Sequence, residues 1–315
     1  MPNLETVFAF SGQGSQYFQM GLELHTRDFF FRRLMGRMDE LVRDLSGHSV
    51  LDVIYDTSRT KAEAFDHLPL THPAIFMVEW ATAQLLIQRG VVPSMVRGVS
   101  LGTMTAAAVA GCMSWEQALT LIVRQAQVVE DHAVRGGMIA VLADPGVLGD
   151  DELHGRCELA ARNFKNHFVV SAPHRELGLI EACLRRHEAT FQRLPVRFPF
   201  HSSWFDCVRP RLHAVAGPTT SLAAQMPLAC CATVDVLTLL PPDHFWSVAR
   251  LPIQFAALVA KLETQSSYRY IDVGPAGTLA TFLRHALPAT SQSQVFPTLT
   301  PFGRDIRNLE RVCAD

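Results

Sequence analysis

The chain has 315 residues, of which 48% are apolar and 18% are charged, and its 28 Lys and Arg nearly balance its 30 Asp and Glu. This composition is typical of a soluble globular protein with one large domain or two smaller ones, and it excludes disorder and a coiled coil. The near-zero net charge gives no electrostatic basis for broad binding to nucleic acid or to anionic membranes.

Cysteine usage and hydropathy bear on the compartment. The seven cysteines are odd in number, and no C-x-x-C pair is followed by a second one, so neither a disulfide framework nor a zinc site is predicted. No basic-then-apolar leader follows Met1, and no apolar run reaches the roughly 18 residues of a membrane helix. We therefore expect a cytoplasmic protein without a metal.

Strand-like and helix-like segments alternate in the first part of the chain. Apolar and aromatic runs predict the strands, while proline near a helix start, glycine at a helix end and an alanine-rich stretch predict the helices. The alternation predicts a parallel α/β sheet covered on both faces. The predicted elements are a strand over 5–10, a Gly-rich turn over 11–16, a helix over 73–90, a strand over 95–99, and helices over 105–110 and 115–132.

The pattern changes between 137 and 201, where we predict two helices over a small sheet, inserted into the larger fold. A later strand over 268–273 ends at a Gly-Pro turn and returns the chain to the large domain. The predicted domains are therefore 1–136 with 202–315, and 137–201. Within the insertion, the predicted elements are a strand over 138–142, a helix over 150–161, a strand over 168–171, a helix over 175–187 and a strand over 190–198.

The segment Gly98-Val-Ser100-Leu101-Gly102 matches the G-x-S-x-G pattern, with a predicted strand before it and a predicted helix after it. Two glycines permit a strained turn that projects the Ser100 hydroxyl and aims the Leu101 N–H at a developing oxyanion. The alternative is a Gly-Ser-Gly turn that only begins a helix.

A serine hydroxyl becomes a good nucleophile only when a base takes its proton, and the chain has 13 histidines. His201 is the candidate because it ends the apolar run Phe198-Pro-Phe200 and is followed by two serines. The pattern alone does not exclude the other histidines.

Seven sequence blocks carry a family resemblance. In chain order they are FSGQGSQYFQMG, HPAIF, GVSLGT, GGMIAV, RNFKNHFVVSAP, FPFHSS and DVGPAGTLA. Over nearly its whole length the chain resembles the malonyl-CoA:acyl-carrier-protein transacylase family, the acyltransferases of fatty-acid and polyketide synthesis. The resemblance implies an α/β-hydrolase-like large domain with an inserted ferredoxin-like small subdomain.

The resemblance also implies roles for individual residues. Ser100 would form an acyl-enzyme, with His201 as general base and acid. The N–H groups of Leu101 and Gln13 would form the oxyanion hole. In this family a main-chain carbonyl orients the histidine, and the matching position is Gln254, so no acidic third member is expected.

The acyl pocket departs from the malonyl-specific pattern. By the resemblance, Asn163 and Phe200 bind substrate, although a cap or turn role for Asn163 is an equal alternative. Malonyl-specific members hold the free carboxylate with an arginine, and the equivalent position here is Gln125. A neutral amide does not neutralise a carboxylate withdrawn from water, so malonyl groups are expected to be poor substrates. The neighbouring Arg124 is rotated by about 100° on the helix and should face elsewhere.

Val99, at the position of the usual histidine, is expected to make the substrate pocket more apolar. Thr103, Ser11 and His72 replace the usual glutamate, proline and glutamine. For each of these changes, the alternative is neutral sequence variation at a position without a catalytic role.

The family includes trans-acting acyl hydrolases of polyketide assembly lines, which similarly lack the arginine, so the resemblance favours hydrolytic removal of short neutral acyl groups such as acetyl from acyl carrier proteins. The alternatives are transfer of a non-malonyl acyl group between carriers and a catalytically silent docking role, although the retained Ser100, His201 and Gln13 argue against the latter.

The expected partner is an acyl carrier protein, with the acyl group carried on phosphopantetheine and no other cofactor. Arg197, Arg209 and Arg211 are candidates for its docking, against an ordinary role as surface charges. We expect a monomer that binds no nucleic acid and no membrane.

Overall fold

The computed structural model describes residues 4–217 and 220–314, which form ten strands and twelve α-helices. The strands are β1 (Glu5–Phe10), β2 (Met95–Gly98), β3 (Gly136–Leu142), β4 (Glu158–Phe164), β5 (His167–Pro173), β6 (Thr190–Arg193), β7 (Leu222–Cys230), β8 (Asp235–Leu240), β9 (Tyr268–Asp272) and β10 (Gln294–Pro297). The helices are α1 (Leu22–Arg27), α2 (Phe29–Ser46), α3 (Val50–Ile54), α4 (Leu68–Gln88), α5 (Gly102–Val109), α6 (Trp115–His132), α7 (His174–Arg186), α8 (Arg209–Ala216), α9 (His244–Arg250), α10 (Phe255–Glu263), α11 (Thr278–Ala286) and α12 (Asp305–Ala314).

The larger sheet has six strands in the order β10-β9-β1-β2-β7-β8. All neighbouring pairs are parallel except β7 with β8, which is antiparallel at the edge. In β1, Phe8 and Phe10 belong to one apolar cluster while Val7 and Ala9 belong to another. A strand buried on both faces is what a parallel sheet between helices requires, so the predicted covered α/β sheet is confirmed.

The second sheet is antiparallel, with four strands in the order β4-β5-β3-β6. Its apolar face packs against α7 through residues that include Ile139, Phe168, Leu177 and Ile180. The second sheet also contacts the segment before α10, because Ala161 of β4 forms an isolated parallel bridge with Ile253.

The helix predicted over 150–161 is wrong. Residues 151–156 form turns, and β4 follows. Gly155 has a φ of 72°, which a helix does not accept. The Ala- and Leu-containing segment after it pairs with β5, so sheet pairing overrides its helical composition.

Two predicted boundaries also shift. The helix predicted from Pro73 begins at Leu68, so Pro69 occupies the first turn and Pro73 lies inside the helix. The strand predicted over 190–198 ends at Arg193, and irregular backbone continues from there toward His201. No helix within residues 4–217 and 220–314 combines the length and the apolar character that a bilayer crossing needs.

Candidate active site

Ser100 lies in the sharp turn between β2 and α5. Its φ is 53°, in the left-handed region that few non-glycine residues adopt. A Cβ at Gly98 would lie 2.2 Å from the Cα of Thr103. A Cβ at Gly102 would lie 2.4 Å from the carbonyl oxygen of Phe10. Both positions therefore require glycine, and the turn presents the Ser100 side chain at the carboxyl end of β2.

The Ser100 hydroxyl faces an imidazole held in one tautomer. Ser100 Oγ lies 2.9 Å from His201 Nε2, and His201 Nδ1 lies 2.9 Å from the carbonyl oxygen of Leu251. Because a carbonyl oxygen only accepts hydrogen bonds, Nδ1 carries the proton and the lone pair of Nε2 faces Ser100. This arrangement suits His201 to take the hydroxyl proton.

His201 is buried and its backbone is constrained. Only 2% of its surface is exposed, its φ is 58°, and its N–H donates to the carbonyl of Ala249 at 3.1 Å. Burial lowers the pKa of His201 from 6.5 to about 4, although the Leu251 carbonyl opposes this shift. The imidazole is therefore neutral near pH 7, as a general base must be.

The carbonyl that orients His201 belongs to Leu251, so the assignment to Gln254 is wrong. The carbonyl oxygen of Gln254 instead accepts a hydrogen bond from the N–H of Leu258 at 3.1 Å, in the first turn of α10. The N–H of Gln254 donates to the carbonyl oxygen of Cys231. The contact with Leu251 has no side-chain signal in the sequence, because any residue supplies a carbonyl.

The loop that carries Gln13 lies directly against the Ser100 turn. A Cβ at Gly12 would lie 2.9 Å from Ser100 Cβ and 2.7 Å from the carbonyl oxygen of Val99. Gln13 and Leu101 both line the cavity beside Ser100. Within residues 4–217 and 220–314, neither of their backbone N–H groups has a hydrogen-bond acceptor, so both are available to a ligand.

A cavity of about 70 Å³ opens beside Ser100. For scale, an apolar cavity of about 150 Å³ holds benzene, so this space suits a short group. Among the described residues, no Asp, Glu, Lys or Arg lines it, and its polar side chains apart from Ser100 are Gln13, His72 and Gln125. Its apolar wall includes Met104, Val129, Phe200, Phe205, Leu212 and Phe245.

The acyl transferase domain family matches residues 7–314. The chain belongs to this family. One similar protein is the polyketide biosynthesis acyltransferase homolog BaeD of Bacillus velezensis, which is 38% identical over 98% of this chain and 96% of its own length. The homolog PksD of Bacillus subtilis is 34% identical over the same shares. The acyltransferase domain from the second module of the salinomycin polyketide synthase is 26% identical with a TM-score of 0.85, over 98% of this chain and 72% of that one.

This acyltransferase-family enzyme therefore has the mixed α/β fold of solved acyltransferase domains. Gln125 of α6 lines the cavity, as the sequence predicts, whereas Arg124 is exposed and lines separate surface grooves. The one-residue step on the helix thus directs the guanidinium away from Ser100.

Two residues assigned to substrate binding do not line the cavity. Val99 is buried in the apolar cluster that also contains Val129 and Phe200, but its side chain is not part of the cavity lining. Asn163 is 4% exposed, and its amide nitrogen lies 3.0 Å from His167 Nδ1 across the β4–β5 hairpin. This contact favours the structural alternative for Asn163 over substrate binding. Phe200 does line the cavity.

His72 is a cavity residue that the sequence did not predict. Its Nε2 is buried without a hydrogen-bond partner among the described residues. Burial lowers the pKa of His72 from 6.5 to about 4, so this ring adds no positive charge near pH 7. The sequence signal that could have identified His72 is that it replaces the family's usual glutamine at the start of HPAIF, just as Gln125 and Val99 replace the usual arginine and histidine.

The three arginines considered for docking differ in their surroundings. Arg197 pairs with Glu130 at 3.2 Å, and Arg209 pairs with Asp243 at 3.2 Å. Arg211 is exposed on α8. Arg211 is therefore the most available of the three for an acidic partner.

Three side chains of the types that can ligate a metal lie together elsewhere in this acyltransferase. Asp150, Cys183 and His187 place ligand atoms within 4.8 Å of one another beside α7. His187 Nε2 lies 2.7 Å from Asp150 Oδ2, a hydrogen-bond distance. Cys183 is buried in the apolar cluster of the second sheet, Asp150 is half-buried and His187 is exposed, and none of the three lines the Ser100 cavity. All seven cysteines are free thiols.

Proposed function

We propose that this acyltransferase-family enzyme hydrolyses short, uncharged acyl groups from the phosphopantetheine thioester of an acyl carrier protein in polyketide biosynthesis. The observation that carries the proposal is a neutral Ser100–His201 pair opening on a small cavity without a cationic side chain. The polyketide context is supported by the names of the relatives from the two Bacillus species.

The first half of the proposed reaction forms an acyl-enzyme. Ser100 Oγ attacks the thioester carbonyl while His201 Nε2 accepts its proton. The N–H groups of Leu101 and Gln13 stabilise the oxyanion of the tetrahedral intermediate. The intermediate collapses, the C–S bond breaks, and His201 returns the proton to the departing thiolate.

The second half of the proposed reaction uses water. His201 takes a proton from a water molecule that attacks the acyl-Ser100 ester, and the same oxyanion donors act again. Collapse of this intermediate returns the proton to Ser100 Oγ and releases the free carboxylic acid. The Leu251 carbonyl keeps His201 in one tautomer through both halves.

The cavity supports selection for neutral acyl groups. Placing a malonyl carboxylate beside Gln125 would remove a charge from water without a cation to pair it, which costs several kcal/mol. An acetyl group carries no such penalty, and the small cavity volume favours it over long chains.

We also propose that 137–201 form a ferredoxin-like subdomain between 1–136 and 202–315. The antiparallel order β4-β5-β3-β6 supports this assignment, as does α7 between β5 and β6. A 3₁₀ turn over Pro145–Gly149 stands where the first helix of such a unit would lie.

Transfer of the acyl group to a second carrier is the other candidate, because the Bacillus relatives are named as acyltransferase homologs. A panel of acyl-carrier thioesters, followed by the mass of the carrier, separates the two. We expect free holo-carrier to form from acetyl-carrier with no second acceptor present. Acyl loss only after a second carrier is added would establish transfer. If the acyl-carrier mass is unchanged under both conditions, a catalytically silent docking role is the remaining hypothesis.

A further inference from the structure

Glu79 is a buried carboxyl group that the proposed mechanism does not use. Glu79 lies in α4, and its surface is 0% exposed. Its Oε1 accepts the Ser11 N–H at 2.6 Å and lies 2.9 Å from Ser11 Oγ. Its Oε2 accepts the Thr105 hydroxyl at 2.9 Å. One carboxyl therefore joins a residue of the 11–16 loop to a residue of α5.

These two partners belong to the segments that hold the oxyanion donors. Ser11 begins the loop that carries Gln13, and Ser11 Oγ lies 2.8 Å from Ser15 Oγ. Ser15 in turn donates to the Gly12 carbonyl at 2.8 Å, which closes the loop on itself. Thr105 lies in α5, which begins directly after Leu101. A shift of either segment would change the distance between the two N–H groups.

We propose that Glu79 is a positioning residue that fixes the separation of the Gln13 and Leu101 N–H groups and thereby the strength of oxyanion stabilisation. It does not contact the reacting atoms. The proposal rests on the proposed function only for the roles of Ser100 and these two donors. Oxyanion donors act through preorganised geometry, and removing one such donor slows catalysis by about 10² to 10³ fold, so a displaced donor should also be costly.

The two contacts of Glu79 with Ser11 and Thr105 do not require a charged carboxylate. Burial raises the pKa of Glu79 from 4.5 to about 8. The hydrogen bonds from Ser11 and Thr105 oppose this rise, whereas the negative charge of Asp272 in β9 adds to it. Glu79→Gln keeps an oxygen that accepts the Ser11 N–H and gains an N–H₂ that can donate to Thr105 Oγ1. Glu79→Ala removes both contacts.

The rate at which a fluorophosphonate labels Ser100 in the full chain tests the proposal. In this reaction Ser100 Oγ forms a bond to phosphorus, fluoride leaves, and the proton passes to His201. The phosphoryl oxygen occupies the oxyanion hole, so the rate reports on the hole without the natural substrate. We expect Glu79→Ala to label at least about tenfold more slowly and Glu79→Gln to stay within about threefold of the wild-type rate.

Two further variants keep the test decisive. Thr105→Val removes one hydroxyl at nearly constant volume, so it tests the same link should Glu79→Ala fail to fold, and we expect slower labelling. Asp39→Ala is the matched control, because Asp39 is also buried and accepts the Val50 N–H at 2.6 Å, on the α2–α3 contact. It should lose stability but label at the wild-type rate when folded.

The proposal is overturned if folded Glu79→Ala and Thr105→Val label as fast as the wild type, or if Asp39→Ala slows labelling equally. These outcomes are independent of the substrate. A wild-type protein that is labelled but cleaves no acyl-carrier thioester would contradict the proposed function and leave the comparison of variants intact.

Discussion

The carbonyl oxygen of Leu251 lies 2.9 Å from Nδ1 of His201 and holds the imidazole with its other nitrogen toward Ser100. A neutral carbonyl stabilises an imidazolium less than a carboxylate would, and burial further disfavours the charged ring. His201 is therefore a base whose pKa lies well below that of a solvated histidine.

The acid limb of the pH profile should reflect this environment. Because burial lowers the pKa of His201 from 6.5 to about 4, the ring stays neutral and able to accept a proton down to that pH. We expect the single-turnover rate of Ser100 acylation to persist at pH 5.5 and to fall by half near pH 4, with circular dichroism verifying the fold at each pH. A half-loss near pH 6.5 would show that His201 is solvated or is not the base.

Introducing a guanidinium into the cavity should change acyl selection. Gln125→Arg places a cation where a malonyl carboxylate would lie, so malonyl-Ser100 adduct should rise by at least about tenfold, since charge-assisted pairs contribute about 1.5–3 kcal/mol. Intact-protein mass spectrometry after incubation with malonyl and acetyl thioesters measures both adducts. Arg124→Ala is the control and should change neither. Unchanged malonyl loading in Gln125→Arg would mean that Gln125 does not contact the acyl group.

Enlarging the cavity should extend the accepted chain. Leu212 of α8 is 7% exposed and lines the apolar wall beside Ser100, so Leu212→Ala makes room for longer acyl groups. We expect hydrolysis of butyryl-carrier relative to acetyl-carrier to rise by at least about tenfold, with a loss of about 2–5 kcal/mol of stability.

Leu179→Ala, at a half-exposed position on α7, is the matched control and should leave the ratio unchanged. An unchanged ratio in folded Leu212→Ala would show that the acyl chain does not extend toward α8.

Local sterics explain what the sequence could predict. The glycines around Ser100 define the turn because no side chain fits beside Thr103 or Phe10, and helical spacing alone separates Gln125 from Arg124. Gly98 and the Gln125–Arg124 step depend on neighbours in sequence, so the pattern of residues was sufficient for them. Gly102 is required by Phe10 of the distant strand β1, and there the G-x-S-x-G spacing supplied the prediction.

Long-range contacts explain what the sequence could not predict. The carbonyl of Leu251 carries no residue identity, and Glu79 looks like an ordinary polar position of a helix until the fold brings Ser11 and Thr105 to it. The helix predicted over 150–161 was wrong because pairing with β5 decides the conformation of that segment.

The most direct test of the central claim is the fate of the acyl-enzyme in heavy-oxygen water. The protein is mixed with acetyl-carrier and no second acceptor, and the Ser100 peptide and the released acetate are followed by mass spectrometry. The account predicts a transient acetyl group on Ser100 that decays to acetate carrying one heavy oxygen atom, and neither species in Ser100→Ala. A stable acetyl adduct that leaves only when a carrier thiol is added would contradict it.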